Sequence, residues 1–383
     1  MPERKHQTRE ITAALLQAGV KVGLEGEPGS GKSSFAKALA EATGHNFVHL
    51  VLSNKPPTEI GGLDFMKQEG DTVFLDHYPP SFLRMIMESE KAGVPTLLVI
   101  DEATDCPRSI QSAVQSFLSE GRIGRHQLPS TTKIMLCYNP PDVATNGHEF
   151  GVPFSNRFVH LKWRIDPVQW IEDANRNFNW KPVVLPDSWR EKVPKYRDFV
   201  LGFLMRSPNW LSVMPKDGQE PIYPTPRTWY DMVIPIMAVA EELGWDKDTT
   251  CAAIGGAVGP AAALEFYSYM ESLDLPDPNV VLRDPEKFNF KKIRPDVLYV
   301  LLNSCTTIAL AGLDRKEYDK WKACITFVSR AAKEEYFDIA YNVARRIADD
   351  YNERLSSRKK LPEEPMRELV QAFGNYLVAI NAS

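Results

Sequence analysis

The sequence has few of the features that are typical of secreted proteins, zinc-binding proteins or proteins that bind nucleic acid nonspecifically. Its 383 residues include five cysteines, an odd number without CxxC spacing, so neither a disulfide framework nor a zinc site is expected. The formal net charge of -5 gives no overall positive field, which disfavours nonspecific nucleic-acid binding. No internal repeat is visible. These absences favour a protein of the reducing cytoplasm.

The sequence also offers no obvious membrane segment. The first ten residues are charged and polar, so we expect no signal peptide at this end. The most apolar stretch, residues 251–264, is short, rich in glycine and interrupted by Pro260. With 43% hydrophobic and 25% charged residues, the composition is that of an ordinary globular protein. We therefore expect no membrane insertion and a chain long enough for two or three domains.

Strand-like and helix-like segments alternate over the first part of the chain, which predicts a three-layer α/β domain with a parallel sheet. The predicted strands cover residues 20–24, 47–52, 96–100, 133–137 and 158–161. Beyond residue 165 the strand signal fades, and helical stretches separated by proline-containing loops follow. The sequence thus predicts three regions: a nucleotide-binding α/β domain at 1–165, a helical lid domain at 166–275 and a C-terminal helical extension at 276–383.

A glycine-rich run between the first strand and a helix is typical of a phosphate-binding P-loop. Its glycines allow backbone conformations in which successive amides surround phosphates, and the helix that follows adds its positive end. Lys32 can reach the outer phosphates, while the Ser33 hydroxyl can hold Mg²⁺. The residues that we predict to bind ATP here are Glu27, Pro28, Gly29, Ser30, Gly31, Lys32, Ser33 and Ser34.

Two carboxylates follow the hydrophobic strand at residues 96–100, at a sheet edge where ligands gather in α/β proteins. This pattern is typical of a Walker B motif. Asp101 is predicted to hold Mg²⁺ through water, and Glu102 is predicted to act as general base on the attacking water. Without the P-loop, an acidic pair at a strand end would more simply be a solvated helix cap.

Three further polar residues stand at strand or helix boundaries. Asn139 follows the strand at 133–137, on the same predicted edge as Asp101, although an asparagine before two prolines is also a common turn former. Arg157 precedes the last strand, where it could stabilise transition-state charge or pair with a surface carboxylate. Arg227 begins an apolar helix, where it could reach the nucleotide or cap the helix. The residues alone leave these alternatives open.

In this order the motifs resemble an AAA+ ATPase module of the MoxR and dynein-related branch. The segments that carry the resemblance are GEPGSGKS, LLVIDEATD, CYNPPD, PFSNRFVHL and PTPRTW. The resemblance implies a P-loop NTPase fold followed by an α-helical lid. It also implies that Asn139 is sensor 1, which orients the hydrolytic water. Arg157 would be an arginine finger that reaches the γ-phosphate of a neighbouring subunit, and Arg227 would be sensor 2 on the lid.

Two predicted hairpins strengthen this resemblance, and one position departs from it. Residues 62–76 and 121–128 match hairpins that face a pore or a client in this branch, although either could be a plain surface hairpin. The family commonly carries Asn-Arg shortly after its Walker B carboxylates, whereas Thr104 and Asp105 stand there in this chain. Any contact that such an arginine makes must be absent or supplied by another residue.

The leading hypothesis is an ATP-hydrolysing, Mg²⁺-dependent protein of MoxR type that forms a homo-oligomeric ring, a hexamer, and remodels or activates a protein partner. Lys32, Glu102, Asn139 and Arg157 would be its catalytic residues, and Ser33 and Asp101 its metal ligands. The resemblance implies either a protein client or a partner with a von Willebrand factor A domain.

Other functions remain open from the residues. A motor or loader acting on nucleic acid would use basic loop residues, for which Arg122, Arg125 and His126 are weak candidates, and the acidic balance opposes it. A small-molecule P-loop kinase would not need the arginine before the last strand. A nucleotide-gated scaffold with negligible turnover would not need Glu102.

Overall fold

The computed structural model describes residues 7–144, 150–215, 222–356 and 361–374. The chain divides into two compact units. The first comprises Met1–Val193 and Trp210–Glu265, and the second comprises Pro194–Asn209 and Phe266–Ser383. The division into three regions at residues 165 and 275 stays a prediction, and each unit is described by itself.

The first unit contains the strands of the described chain. They are β1 Val22–Glu25, β2 Asn46–Val51, β3 Leu63–Glu69, β4 Thr72–Tyr78, β5 Thr96–Asp101, β6 Arg122–Ile123, β7 His126–Gln127, β8 Lys133–Tyr138 and β9 Val159–Lys162. Five of them form a parallel sheet in the order β2-β5-β8-β1-β9. The α/β fold with a parallel sheet is therefore confirmed. All residues of β5 are buried, as expected for a strand covered on both faces.

Helices cover this sheet and continue beyond it. In chain order they are α1 Gln7–Gln17, α2 Lys32–Ala42, α3 Pro57–Gly61, α4 Ser81–Lys91, α5 Arg108–Glu120, α6 Val152–Ser155, α7 Pro167–Asn175, α8 Trp189–Arg206, α9 Ile234–Leu243, α10 Lys247–Val258 and α11 Pro260–Glu271. A π-helical segment, Thr228–Val233, leads directly into α9. Because parallel strands need crossover connections, the helices between the strands, which include α2, α4 and α5, return the chain to the same sheet edge each time.

Both predicted hairpins form. In the longer one, β3 and β4 pair antiparallel around Gly70, which has a left-handed φ of 63°. The shorter one pairs β6 with β7, and Gly124 supplies its left-handed residue with a φ of 55°. A positive φ costs glycine little, which is why a glycine occupies each turn.

The second unit is helical in its described residues. It includes α12 Pro278–Arg283, α13 Pro295–Asp314, α14 Tyr318–Lys333, α15 Phe337–Ser356 and α16 Glu364–Phe373. Their buried apolar side chains form one core, with Trp321 and Phe327 among the largest fully buried residues. Of the helices described, α13 is long and apolar enough to cross a membrane. Its apolar window is 67% buried inside the protein, which is usual for a core helix. Residues 251–264, the stretch that stood out in the sequence, form parts of α10 and α11 instead.

The packing of α10 against β9 generates a stability prediction. A methyl group on Gly256 would lie 2.4 Å from the backbone oxygen of His160, so Gly256→Ala must push the helix away from the sheet. We expect a loss of about 1–3 kcal/mol in the free energy of unfolding, measured by chemical denaturation.

The neighbouring glycine provides a matched control. A methyl group on Gly255 would meet its nearest atom, in Pro260, at 3.6 Å, an ordinary contact. Gly255→Ala should therefore be neutral or stabilising by up to about 1 kcal/mol, because alanine favours the helix. Equal losses for the two substitutions would contradict the close packing at Gly256.

Candidate functional site

The glycine-rich loop lies between β1 and α2, at the carboxyl edge of the sheet. Gly29 and Gly31 have φ values of 73° and 89°, and nothing lies within 4 Å of the position that a side chain would take at either one. Gly31 is also the N-cap of α2 and gives it no side-chain cap. The amides at the start of α2 thus remain available to an anion, and the open space over the glycines suits a phosphate chain.

Lys32 is buried, and its ammonium group is held within the loop. It donates hydrogen bonds to the carbonyl oxygens of Gly26 and Glu27 at 2.6 and 2.9 Å. A third contact joins its Nζ to Oδ1 of Asn139 at 3.1 Å. Burial lowers the pKa of Lys32, and the nearby Asp101 offsets part of that effect. The structure thus brings the predicted P-loop lysine and the predicted sensor into direct contact.

Asp101 lies at the end of β5 among hydrogen-bond donors. Ser33 donates its hydroxyl to Oδ2 of Asp101 at 2.5 Å, and Nε2 of His49 lies 3.0 Å from the same oxygen. The Glu102 amide donates to the other carboxylate oxygen at 2.9 Å. Burial alone would raise the pKa of Asp101, but the hydrogen bonds from His49, Ser33 and this amide lower it. The carboxylate therefore stays ionised, as a metal ligand must.

Glu102 adopts a left-handed backbone conformation, with a φ of 57°. This conformation is uncommon for a residue other than glycine and is found disproportionately at functional sites. Because of this turn, the adjacent side chains of Asp101 and Glu102 accept hydrogen bonds from different residues. The Glu102 carboxylate accepts a hydrogen bond from the hydroxyl of Ser53, which follows β2.

Asn139 follows β8 and is fixed from both sides. Its amide nitrogen donates to Oδ2 of Asp105 at 3.3 Å, and its backbone oxygen accepts from the Thr104 hydroxyl at 3.0 Å. Thr104 and Asp105 are the two residues that depart from the family pattern. In this chain they orient the amide whose oxygen faces Lys32.

The residues present fit a magnesium ion. Ser33 and Asp101 offer a hydroxyl and a carboxylate, both hard oxygen donors, within 2.5 Å of each other. Across the described ranges, no group of three or more His, Cys, Asp or Glu side chains could hold a metal unaided. Mg²⁺ typically takes few protein ligands and completes its shell with water and phosphate oxygens, so this small set suits it.

Trp163, just beyond β9, supports the phosphate loop. Its indole N–H donates to the carbonyl oxygen of Ser30 at 2.9 Å, and its ring packs on Phe35 of α2 with centroids 4.9 Å apart. A side chain on Gly26 would lie 2.6 Å from the Trp163 backbone oxygen. The first glycine of the loop is therefore required because β9 approaches so closely, whereas Gly29 and Gly31 are required by their conformations.

A cavity of about 640 Å³ opens beside this loop. Its walls include Ser30, Trp163, Arg9 of α1 and Trp170 of α7. The cavity is continuous with the loop and combines two indole rings with polar groups. It has room for the nucleoside part of a ligand whose phosphates lie on the loop.

Arg157 and Arg227, the two arginines predicted to act on the phosphates, lie at the amino edge of the sheet. Arg157 donates to the backbone oxygen of Pro153 and to the hydroxyl of Ser119, near the end of α5. Burial and the neighbouring charge of Arg227 lower the pKa of Arg157. Burial chiefly lowers the pKa of Lys21, immediately before β1; Asp231 offsets part of that effect, and both arginines add to it. Arg157, Arg227 and Lys21 thus form a cationic cluster at the amino ends of β1 and β9.

Two groups of predicted site residues therefore emerge. Those of the P-loop lie with Asp101, Glu102 and Asn139 at the carboxyl edge, and Arg157 and Arg227 lie together at the amino edge. Sequence reasoning missed His49, Ser53 and Trp163, and it left Thr104 and Asp105 without a role. The only signal for these residues was position: His49 lies in β2 and Ser53 follows it. That position becomes informative only when β2 is known to pair with β5.

Comparison with family models agrees with the fold of the first unit. The family model for the AAA domain of the dynein-related subfamily matches residues 21–158. No curated protein matches the sequence. The crystal structure of a candidate ATPase from Cytophaga hutchinsonii is similar over 71% of this chain and 90% of its own, with 13% identity and a TM-score of 0.44. The matched family model covers the loop, both carboxylates, Asn139 and Arg157.

The support of the loop by Trp163 generates a binding prediction. Trp163→Phe keeps an aromatic ring against Phe35 but leaves the Ser30 carbonyl without its indole donor. Loss of a hydrogen bond worth about 1 kcal/mol should weaken ADP binding roughly fivefold, measured by isothermal titration calorimetry.

Trp180→Phe is the matched control, because the Trp180 ring also packs on Phe35, with centroids 5.3 Å apart. It should bind ADP like the unmodified protein. Equal affinity of the Trp163→Phe and Trp180→Phe proteins would show that the indole hydrogen bond does not support the loop.

Proposed function

We propose that this chain, whose residues 21–158 match the AAA domain of the dynein-related subfamily, hydrolyses ATP at a site completed by a second copy of itself. The observation that carries the proposal is the separation of the site residues. Lys32, Asp101, Glu102 and Asn139 meet at one edge of the sheet, and the two arginines suited to transition-state charge lie at the other.

At the carboxyl edge, each side chain has a separate role in phosphoryl transfer. Lys32 and the open glycine backbone bind the outer phosphates, and Asn139 is held by Asp105 so that its amide can orient a water. Glu102 accepts the proton of that water as general base. Magnesium, when bound at Ser33 and Asp101, neutralises phosphate charge. In the structure the Ser53 hydroxyl donates to one oxygen of the Glu102 carboxylate, which leaves the other oxygen to accept from a water.

At the amino edge, Arg157 and Arg227 are too far from their own loop to complete the site. β1 spans four residues, so its ends are separated by about 10–13 Å, and the loop extends beyond the far end. Arg157 is half-buried and oriented by Ser119, whereas Arg227 is exposed. Both are thus suited to the phosphates of a neighbouring copy, where a guanidinium can stabilise developing charge.

The surface of α7 supports such a neighbour. Its buried residue is Asp173, which contacts Arg9 and accepts from Gln169 at 2.8 Å. Its large apolar residues point outward, with Trp170 and Ile171 52% and 56% exposed. An amphipathic helix normally buries its apolar face, so this inverted arrangement supports the proposal that a neighbouring copy covers α7. Because Trp170 also lines the cavity beside the loop, a copy that brings its arginines to the phosphates would cover this face.

A protein client is favoured over nucleic acid by the two hairpins. One face of the longer hairpin presents Met66, Val73 and Leu75, which are 81%, 59% and 67% exposed. These three exposed aliphatic side chains suit a polypeptide, and they offer neither positive charge nor aromatic rings to a nucleic acid. The basic residues of the shorter hairpin are paired, Arg125 with Asp76 at 2.8 Å and Arg122 with Glu120 at 3.0 Å.

The finer assignment rests on the resemblance of the motifs. It comprises a MoxR-type ATPase that depends on magnesium, forms a hexameric ring in the cytoplasm and remodels a client or a von Willebrand factor A domain partner. The five free cysteines, four of them buried, are compatible with a reducing compartment.

The role of Glu102 is tested by Glu102→Gln. The amide keeps the size of the side chain but cannot accept the proton, so ATP turnover should fall by a factor of about 100 or more. ATP affinity should stay unchanged, because the loop, Lys32 and Asp101 are unaltered. Phosphate release and equilibrium binding of ATP are the measurements.

Glu120→Gln, which changes an exposed carboxylate at the end of α5, is the control for this experiment. It should turn over ATP at the unmodified rate. Turnover retained by the Glu102→Gln protein would refute the assignment of the base, and loss of ATP binding would show that Glu102 holds the nucleotide instead.

The shared site is tested by mixing two inactive proteins. Lys32→Ala loses its own phosphate site but keeps Arg157, and Arg157→Ala has the complementary defect. If the copies mix at random, about one quarter of the interfaces in a 1:1 mixture unite an intact loop with an intact arginine. The mixture should thus regain roughly that fraction of activity.

Each variant alone, at the total protein concentration of the mixture, is the control and should remain inactive. An Arg157→Ala protein that is fully active by itself would contradict the shared site, as would a mixture that stays inactive although both variants assemble.

A further inference from the structure

A chain of buried hydrogen bonds crosses the sheet from the phosphate loop to the segment of Arg157. The Tyr138 hydroxyl on β8 lies 2.7 Å from Nδ1 of His160 on β9, although β1 runs between these two strands. The contact is possible because β1 has Gly23 at the crossing point. A side chain there would lie 3.3 Å from His160 Nδ1 and 3.4 Å from the Tyr138 ring. Tyr138 and His160 are both buried.

The far side of His160 fixes the direction of this chain. Its Nε2 lies 2.9 Å from the backbone oxygen of Ser155 and 2.9 Å from the Ser155 hydroxyl. A carbonyl oxygen can only accept, so Nε2 carries the proton and donates to it. In the neutral ring Nδ1 is then the acceptor, and the Tyr138 hydroxyl donates to it. Each group thus has a defined role, and the chain runs from Tyr138 through His160 to Ser155.

At the nucleotide end, Tyr138 is attached to the phosphate loop and to the sensor. Its backbone oxygen accepts from the amide of Gly26 at 3.2 Å, and the next residue is Asn139. Its hydroxyl also lies 3.4 Å from the carboxylate of Glu25, the residue before Gly26. The hydroxyl therefore has two acceptors, one beside the loop and one on His160, and a small movement of the loop changes their balance.

At the other end, Ser155 begins the segment that carries the arginine. Asn156 is buried, and it accepts at 3.0 Å from the hydroxyl of Thr225, two residues before Arg227. Arg157 follows Asn156 directly. A shift of Ser155 therefore displaces Arg157 through the backbone and the Arg227 segment through Asn156.

We infer that Tyr138, His160 and Ser155 form a positioning relay that couples the phosphate loop and Asn139 of one copy to the arginines that this copy offers to its neighbour. The inference rests on the proposed shared site and adds the buried hydrogen bonds that hold the arginines of one copy in position for the site of the next. The relay residues touch neither substrate nor the reacting atoms. They act through Arg157 and Arg227.

The test uses the mixture of the two inactive variants described above. The Lys32→Ala protein supplies the intact Arg157 and is called the arginine donor. The Arg157→Ala protein supplies the intact phosphate loop and is called the loop donor. Tyr138→Phe removes only the buried hydroxyl and is introduced into one partner at a time. In the arginine donor it should lower ATP turnover about fivefold or more, because Arg157 loses its fixed position. In the loop donor, which has no Arg157 to position, it should change turnover less than twofold.

This asymmetry separates positioning from stability, because a merely structural role for the hydroxyl would affect both partners alike. Tyr336→Phe is the matched control. It removes a tyrosine hydroxyl that donates to the Phe290 and Ile293 carbonyls in the second unit, and it should have no effect in either partner.

Gly23→Ala provides a second variant, because its methyl group is wedged between Tyr138 and His160. It should reproduce the loss in the arginine donor while both hydrogen-bonding side chains remain in place. An inactive parental mixture would refute the shared site itself. An active parental mixture with equal effects in both partners, or with none in the arginine donor, would refute the relay alone.

Discussion

The close approach of β9 to the phosphate loop is the constraint on which the rest of the site depends. Gly26 lies so near the backbone of Trp163 that a side chain could not be accommodated, and the Trp163 indole holds the loop at Ser30. On the other side, the Gly26 amide donates to Tyr138 at the end of β8. The loop is therefore positioned by the two strands that flank β1, and only its outer part, with Gly29 and Gly31, is open toward a ligand.

The same strand order separates the chemistry into two edges. Parallel strands place Asp101, Glu102 and Asn139 with the loop at their carboxyl ends, and the residues before β1 and β9 lie at the opposite end. Arg157, Arg227 and Lys21 gather there despite their like charges, and burial with mutual repulsion lowers the pKa of Arg157. Asp231 offsets part of this repulsion at Lys21, and under the proposed shared site the phosphates of a second copy would offset more of it.

Much of this site could be predicted from sequence because its signals are local. The glycine-rich run, the buried strand that ends in two carboxylates and the turn glycines of both hairpins each specify their structure within a few residues. The five strands of the sheet were predictable for the same reason, since apolar runs between turn formers leave few alternatives.

The contacts that connect these parts were not predictable, because they depend on strand order and on a single turn. The Tyr138–His160 contact requires β1 to lie between β8 and β9, with Gly23 between the two side chains. No local sequence pattern predicts that strand order. Ser53 meets Glu102 because β2 neighbours β5 and because Glu102 takes a left-handed turn. Thr104 and Asp105 departed from the family pattern, yet they hold Asn139 through hydrogen bonds that only the folded chain reveals.

The central claim is that each catalytic site needs two copies of the chain. It is tested most directly by the specific ATPase activity of the unmodified protein over a wide range of protein concentrations at saturating ATP. The account predicts that activity per molecule falls steeply on dilution, in step with dissociation of the assembly followed by light scattering. A specific activity that stays constant while the protein dissociates to single chains would contradict it.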